Sequence, residues 1–118
     1  MDSESSDSNF ESLGINGELV SALCEIGIKE PTQIQIKAIP KIIAGNDVIG
    51  FSKTGSGKTA AFGLPLLQKI EPHAGLQTLL IAPVRELAVQ IAEELRKFSK
   101  YKRVFISAVY GGVSLEPQ

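Results

Sequence analysis

The chain has 118 residues, 43% of them hydrophobic and 21% charged, with a formal net charge of −1. That suits one domain with a modest core, and no run approaches the ~20 apolar residues of a membrane span. Without the first nine residues, which carry Asp2, Glu4 and Asp7 and no base, twelve bases face ten acids, so any contact with nucleic acid must come from local groups and not from a basic field.

Residues 1–9 are rich in Ser, Asp and Glu and are expected to be a disordered acidic tail. Such a start is neither a secretory signal nor a transit peptide. Phe10 ends it abruptly. A helix is predicted from Asn16 as N-cap, with Leu19, Val20, Leu23 and Ile26 on one face and Gly27 as its stop. Cys24 lies among Ala22, Leu23 and Ile26 and reads as a small buried apolar residue. As the single cysteine it excludes an internal disulfide and suits a reducing, intracellular compartment, with nucleus, nucleolus and cytoplasm left open.

Thr32 is a good N-cap, and Gln35 three residues later has the spacing of a capping box. Ile34, Ile36, Ile39, Ile42 and Ile43 continue a helical pattern to Gly45, with Pro40 kinking it or displacing one hydrogen bond. Residues 47–51 form the first predicted strand and residues 58–70 the next helix, bent at Pro65. His73 falls in a loop over residues 71–77 and receives no role. Residues 78–82 are a continuous apolar run suited to a strand buried on both faces. A helix is predicted over residues 85–99, with acids towards its start and bases towards its end, as the helix dipole favours. Residues 104–110 make a third strand, ended by Gly111-Gly112. The bases Arg96, Lys97, Lys100, Lys102 and Arg103 read as a solvated helix end and turn, not a nucleic-acid patch.

The order ααβαβαβ, with helical crossovers long enough to join parallel strands, predicts an α/β fold with a parallel sheet and flanking helices. Ligands then belong at the carboxyl ends of the strands. The loop there is Ser52-Lys53-Thr54-Gly55-Ser56-Gly57-Lys58-Thr59, between a strand and a helix. This is the context of a phosphate loop, although Ser52 stands where that pattern begins with Gly. Gly55 and Gly57 let the backbone wrap a phosphate, and the following helix start presents N–H groups and a positive dipole end to it. Lys58 would reach the β/γ-phosphates of a nucleoside triphosphate, and the Thr59 hydroxyl would ligate Mg²⁺. A purely structural alternative is a glycine-rich turn.

These residues, in this order, resemble the start of a DEAD-box ATP-dependent RNA helicase, from Phe10 onward. Gly27-Ile28-Lys29-Glu30-Pro31-Thr32-Gln33-Ile34-Gln35 resembles the family's Q motif, taken here as residues 8–36, with Phe10 as its upstream aromatic. Ser52 to Thr59 resembles its phosphate loop, which normally starts with Ala. Pro83-Val84-Arg85-Glu86-Leu87-Ala88 resembles its first RNA-contacting motif, with Val84 in place of Thr, and Gly111-Gly112 resembles the paired glycines that follow.

The resemblance implies a RecA-like phosphate-loop NTPase fold, with residues 10–118 as the first part of the first helicase domain. It implies that Gln35 pairs with the adenine edge, whose N6 donor and N7 acceptor match a carboxamide, and that Phe10 stacks on the ring. For Gln35 the capping box with Thr32 is a competing structural role. Pro83, Arg85, Gly111 and Gly112 would touch the RNA sugar-phosphate chain without reading sequence; for Arg85 the alternative is a helix-start residue paired with a nearby acid. Val84 would lose whatever hydrogen bond the family's Thr hydroxyl makes.

The 118 residues contain no Asp-Glu-Ala-Asp, the motif that in the family holds Mg²⁺ and positions water. The expectation is therefore a truncated or partial helicase, without turnover of its own and with Val48 and Ile49 left uncovered. Two other functions compete: a small phosphate-loop kinase, and a non-catalytic fragment that binds RNA or protein partners.

Overall fold

The computed structural model describes residues 9–53, 57–72 and 74–111. Helices α1 (Gly17–Glu25), α2 (Gln33–Ile43), α3 (Lys58–Lys69) and α4 (Arg85–Phe98) follow in order. The Asn16 side chain accepts from the Leu19 N–H at 3.3 Å and caps α1. The helix stops where the Gly27 and Ile28 N–H groups turn back to the carbonyls of Cys24 and Leu23. α2 runs through Pro40 and stops in the same way, with the Gly45 and Asn46 N–H groups on the carbonyls of Ile42 and Lys41. All four predicted helices are present, with ends within two residues of expectation.

α3 is the middle of the assembly: α2 packs on one side of it and α4 on the other, and α1 packs on α4. Leu19, Leu23, Ile39 and Leu64 are fully buried at their meeting point, with Phe10, Leu67, Leu95 and Phe98 around them. Each such aliphatic side chain contributes about 1.5–3 kcal/mol by leaving water. Gly63 lets α4 approach closely, since a Cβ there would run into the Leu95 side chain. The turn before α1 is tied to α3 by Gln68, whose carboxamide donates to the Gly14 carbonyl at 2.6 Å and accepts from the Asn16 N–H at 2.8 Å.

The three apolar runs differ from expectation. None forms a hydrogen-bonded ladder among the described residues. Ile49 is 86% exposed, Leu79 76% and Ile81 87%. Residues 78–82 are thus not buried on both faces, because the described residues place no layer over the outer side. The exposure of Val48 and Ile49 matches expectation. Residues 103–110 alternate strictly, with 104, 106, 108 and 110 half-buried and 103, 105, 107 and 109 exposed. Val104 and Ile106 pack against the helical core while Phe105 is fully exposed. This is the two-residue period of a strand with one face on the helices.

Three smaller readings change. Cys24 is exposed: Leu19 and Leu23, four apart, set the inward stripe of α1, and the next residue turns about 100° away from it. Ile26, just past the helix, is also exposed. Of the tail, residues 1–8 lie outside the described residues, but Asn9 is engaged, its side chain accepting from the Ser12 N–H at 2.7 Å. His73 also lies outside them.

Candidate functional site

Gly57, within the predicted phosphate loop, is the N-cap of α3, with φ at 90° and ψ at 24°, in the left-handed region. A side chain there would be strained, and its Cβ would collide with Gln35 Nε2 and come within 3.0 Å of Thr32 Oγ. The Gly57 carbonyl accepts twice, from the Ala61 N–H at 3.1 Å and from Gln35 Nε2 at 3.0 Å. The second bond joins α2 to the N-cap of α3. Gly57 has no side chain with which to cap α3, and the N–H groups of a helix's first turn suit an anion. Lys58 opens that turn with an exposed side chain, and Thr59 is half-buried beside it. Ser52 is half-buried and Lys53 exposed; Thr54, Gly55 and Ser56 lie outside the described residues.

Gln35 is 3% exposed. Its oxygen accepts from the Thr32 N–H at 2.9 Å, completing the predicted capping box, while its nitrogen holds Gly57. An N–H partner on one end and a carbonyl on the other fix the amide orientation. Phe10, expected as a stacking platform, is 2% exposed and belongs to the core with Leu19, Leu23 and Phe98. In this structure its ring offers no face to a base. The fold spends its large apolar surface on closing the N-terminal turn over the helices.

At the second candidate site Arg85 is the first residue of α4 and is exposed, as are Pro83 and Gly111; Gly112 lies outside the described residues. The Arg85 guanidinium carbon lies 5.5 Å from the centroid of the Tyr110 ring, which brings the Pro83–Arg85 stretch to the end of residues 104–111. Val84 is the N-cap of α4, with φ at −136° and ψ at 156° and no side-chain hydrogen bond. The position where the family carries Thr is therefore a helix cap without its acceptor.

Sequence reading missed several partners. Lys102 donates to the carbonyls of Leu67 and Gln68 at 2.7 and 2.9 Å, closing the end of α3. Arg96 reaches the Ile106 carbonyl at 2.7 Å, and Lys100 pairs with Glu25 at 2.6 Å. Much of the basic cluster thus holds the fold together. No local signal reveals this, because the acceptors lie on other elements. Tyr110 could have been found from parity: it shares the inward face of residues 104–110 with Val104 and Ile106. A cleft of about 470 Å³, lined by Ile26, Ile28, Glu93, Glu94, Lys97 and Phe98, lies between the end of α1 and α4 and includes no predicted site residue. Among the described residues no group of three or more His, Cys, Asp or Glu could hold a metal.

The model of the DEAD/DEAH box helicase family matches residues 32–118, nearly three quarters of the chain. The chain belongs to that family. It is 49% identical over 111 residues to the RNA helicase CrhR of Synechocystis, covering 94% of this chain and 23% of CrhR. Among solved structures it is similar to a DEAD-box protein from Methanococcus jannaschii, with a TM-score of 0.87 and 34% identity over 92% of this chain and 30% of that one. It is also similar to the RNA helicase Prp28 of Chaetomium thermophilum bound to ADP, with a TM-score of 0.82 and 42% identity over 93% of this chain and 28% of that one. These neighbours are RecA-like DEAD-box helicase domains. The chain spans about a quarter of the length of the relatives it matches.

Proposed function

We propose that this helicase-family chain binds ATP at residues 52–59, with Mg²⁺ held by the Thr59 hydroxyl, and contacts the RNA backbone through Pro83, Arg85, Gly111 and Gly112. The observation that carries the nucleotide reading is the start of α3, where Gly57, bonded by Gln35, holds a left-handed turn and Lys58 stands exposed beside it. The donors fit the ligand. Lys58 and the first-turn N–H groups of α3 suit the β/γ-phosphates. A single hard hydroxyl suits Mg²⁺, which keeps water and phosphate oxygens as its other ligands. The bound metal would neutralise charge on the phosphates. An ADP-bound relative and two relatives named as RNA helicases support the same reading, and a parallel sheet would gather both sites along one edge.

Capping and adenine recognition are compatible in Gln35. Its oxygen keeps a second lone pair and its nitrogen a second hydrogen after bonding Thr32 and Gly57. These spare groups match adenine's N6 and N7, once neighbouring residues expose them. We assign Phe10 to packing, since stacking on adenine would require its ring to leave the core.

Phosphoryl transfer also needs a water-positioning group, a full metal clamp and a cationic finger. The 118 residues contain no Asp-Glu-Ala-Asp. The expected behaviour of this polypeptide alone is ATP binding without RNA-stimulated turnover, in an intracellular setting. Calorimetry should show Lys58→Ala weakening ATP binding at least tenfold with helix content unchanged. Unchanged affinity in that variant would overturn the nucleotide site, and turnover that vanishes with Lys58→Ala would overturn the statement about activity.

A further inference from the structure

We infer that Tyr110 is a positioning residue that holds the Arg85 guanidinium ready for an RNA phosphate; this rests on the reading of Arg85 as an RNA contact. Arg85 stands at the start of α4, the positive end of the helix dipole, where a cation gains nothing from the helix. Glu86 follows directly, and side chains one residue apart on a helix do not face each other. Among the described residues no carboxylate forms an ion pair with Arg85. The guanidinium lies instead over the Tyr110 ring, 5.5 Å from its centroid, within cation–π range.

Geometry favours the ring as the fixed partner. Tyr110 is half-buried, on the same parity as Val104 and Ile106, which pack on the core, whereas Arg85 is exposed. The ring attracts the guanidinium through its charge, and the planar N–H fork is the part of it that recognises a carboxylate or phosphate. Holding the fork before RNA arrives reduces the rotamer freedom lost on binding. A lysine at this position would place a point charge there without a planar fork.

The test uses the 118-residue chain and a fluorescein-labelled single-stranded oligouridylate, read by anisotropy at several salt concentrations. Tyr110→Leu should weaken binding about two- to fivefold, the range of an exposed cation–π contact, while Tyr110→Phe, which keeps the ring, should bind as the unsubstituted chain does. Arg85→Ala should weaken binding further and lower the salt slope by about one. Adding Tyr110→Leu to Arg85→Ala should do nothing more, because the two act as one unit. The Arg85 Nε–H resonance should carry a ring-current shift in the unsubstituted chain and in Tyr110→Phe, and lose it in Tyr110→Leu. If Arg85→Ala weakens binding and Tyr110→Leu does not, the inference fails and the RNA reading stands. Loss in Tyr110→Phe equal to that in Tyr110→Leu, or independent effects in the double variant, would also overturn it. If Arg85→Ala is silent, or the unsubstituted chain binds no RNA, the RNA reading itself fails.

Discussion

Gln35 carries two jobs with one amide. Its oxygen closes the capping box of α2 and its nitrogen pins the first carbonyl of α3. Replacing it by Glu keeps the acceptor facing Thr32 but sets a second oxygen against the Gly57 carbonyl, and puts a carboxylate where the native side chain is 3% exposed. A buried acceptor left without its donor costs about 1–3 kcal/mol, or roughly 4–12 °C in Tm for a chain of this size. Thermal unfolding followed by circular dichroism checks this for Gln35→Glu. A variant as stable as the original would mean that the Gly57 contact contributes nothing in solution.

At the scale of elements, α4 has a defect that the sequence hinted at and the structure locates. Val84 has the extended backbone of an N-cap and no acceptor on its side chain. Val84→Thr supplies a hydroxyl with almost no change of shape, and a good cap stabilises by about 0.5–2 kcal/mol over an apolar one. Tm should rise by about 2–8 °C, with Val84→Ala giving no such gain in the same calorimetric scan. Elsewhere the helix ends are closed from a distance: Lys69 donates to the Ile42 carbonyl at 2.8 Å, and Lys102 performs the same service for α3. These lysines join neighbouring elements as well as satisfying carbonyls. The Lys100–Glu25 pair, with both side chains well exposed, adds little by comparison.

For the whole molecule, the decisive feature is that residues 104–110 turn one side to the helices and the other to water, while residues 47–51 are exposed throughout. Val104 and Ile106 pack on the core, while Phe105, Ile49 and Ile81 stand almost fully exposed. Exposed apolar surface of this kind drives association, and a net charge of −1 offers little repulsion against it. The 118-residue chain should bind a hydrophobic dye and self-associate as its concentration rises. Phe105→Lys should reduce both with helix content unchanged, whereas Ile106→Lys, one residue further on, should lower Tm by taking an apolar contact from the core. Equal tolerance of the two substitutions in dye binding and circular dichroism would contradict the alternation.

What the sequence determined by itself is what local physics controls. Asn16, Thr32, Gly27 and Gly45 marked helix ends because caps and reversals bond residues only a few positions apart. The resemblance to DEAD-box helicases was likewise legible, and the family match over residues 32–118 agrees with it. Tertiary structure decided everything that needed a distant partner. It placed Phe10 in the core, turned Cys24 outward, gave Gln35 its bond to Gly57 twenty-two residues away, and sent Arg96 and Lys102 to carbonyls on other elements. The apolar runs mark the boundary between the two. Their strand length is legible in residues 78–82 and 104–110, but the alternate burial of residues 104–110 appears only against the helices, and a ladder requires neighbouring backbone that no spacing within one run can supply.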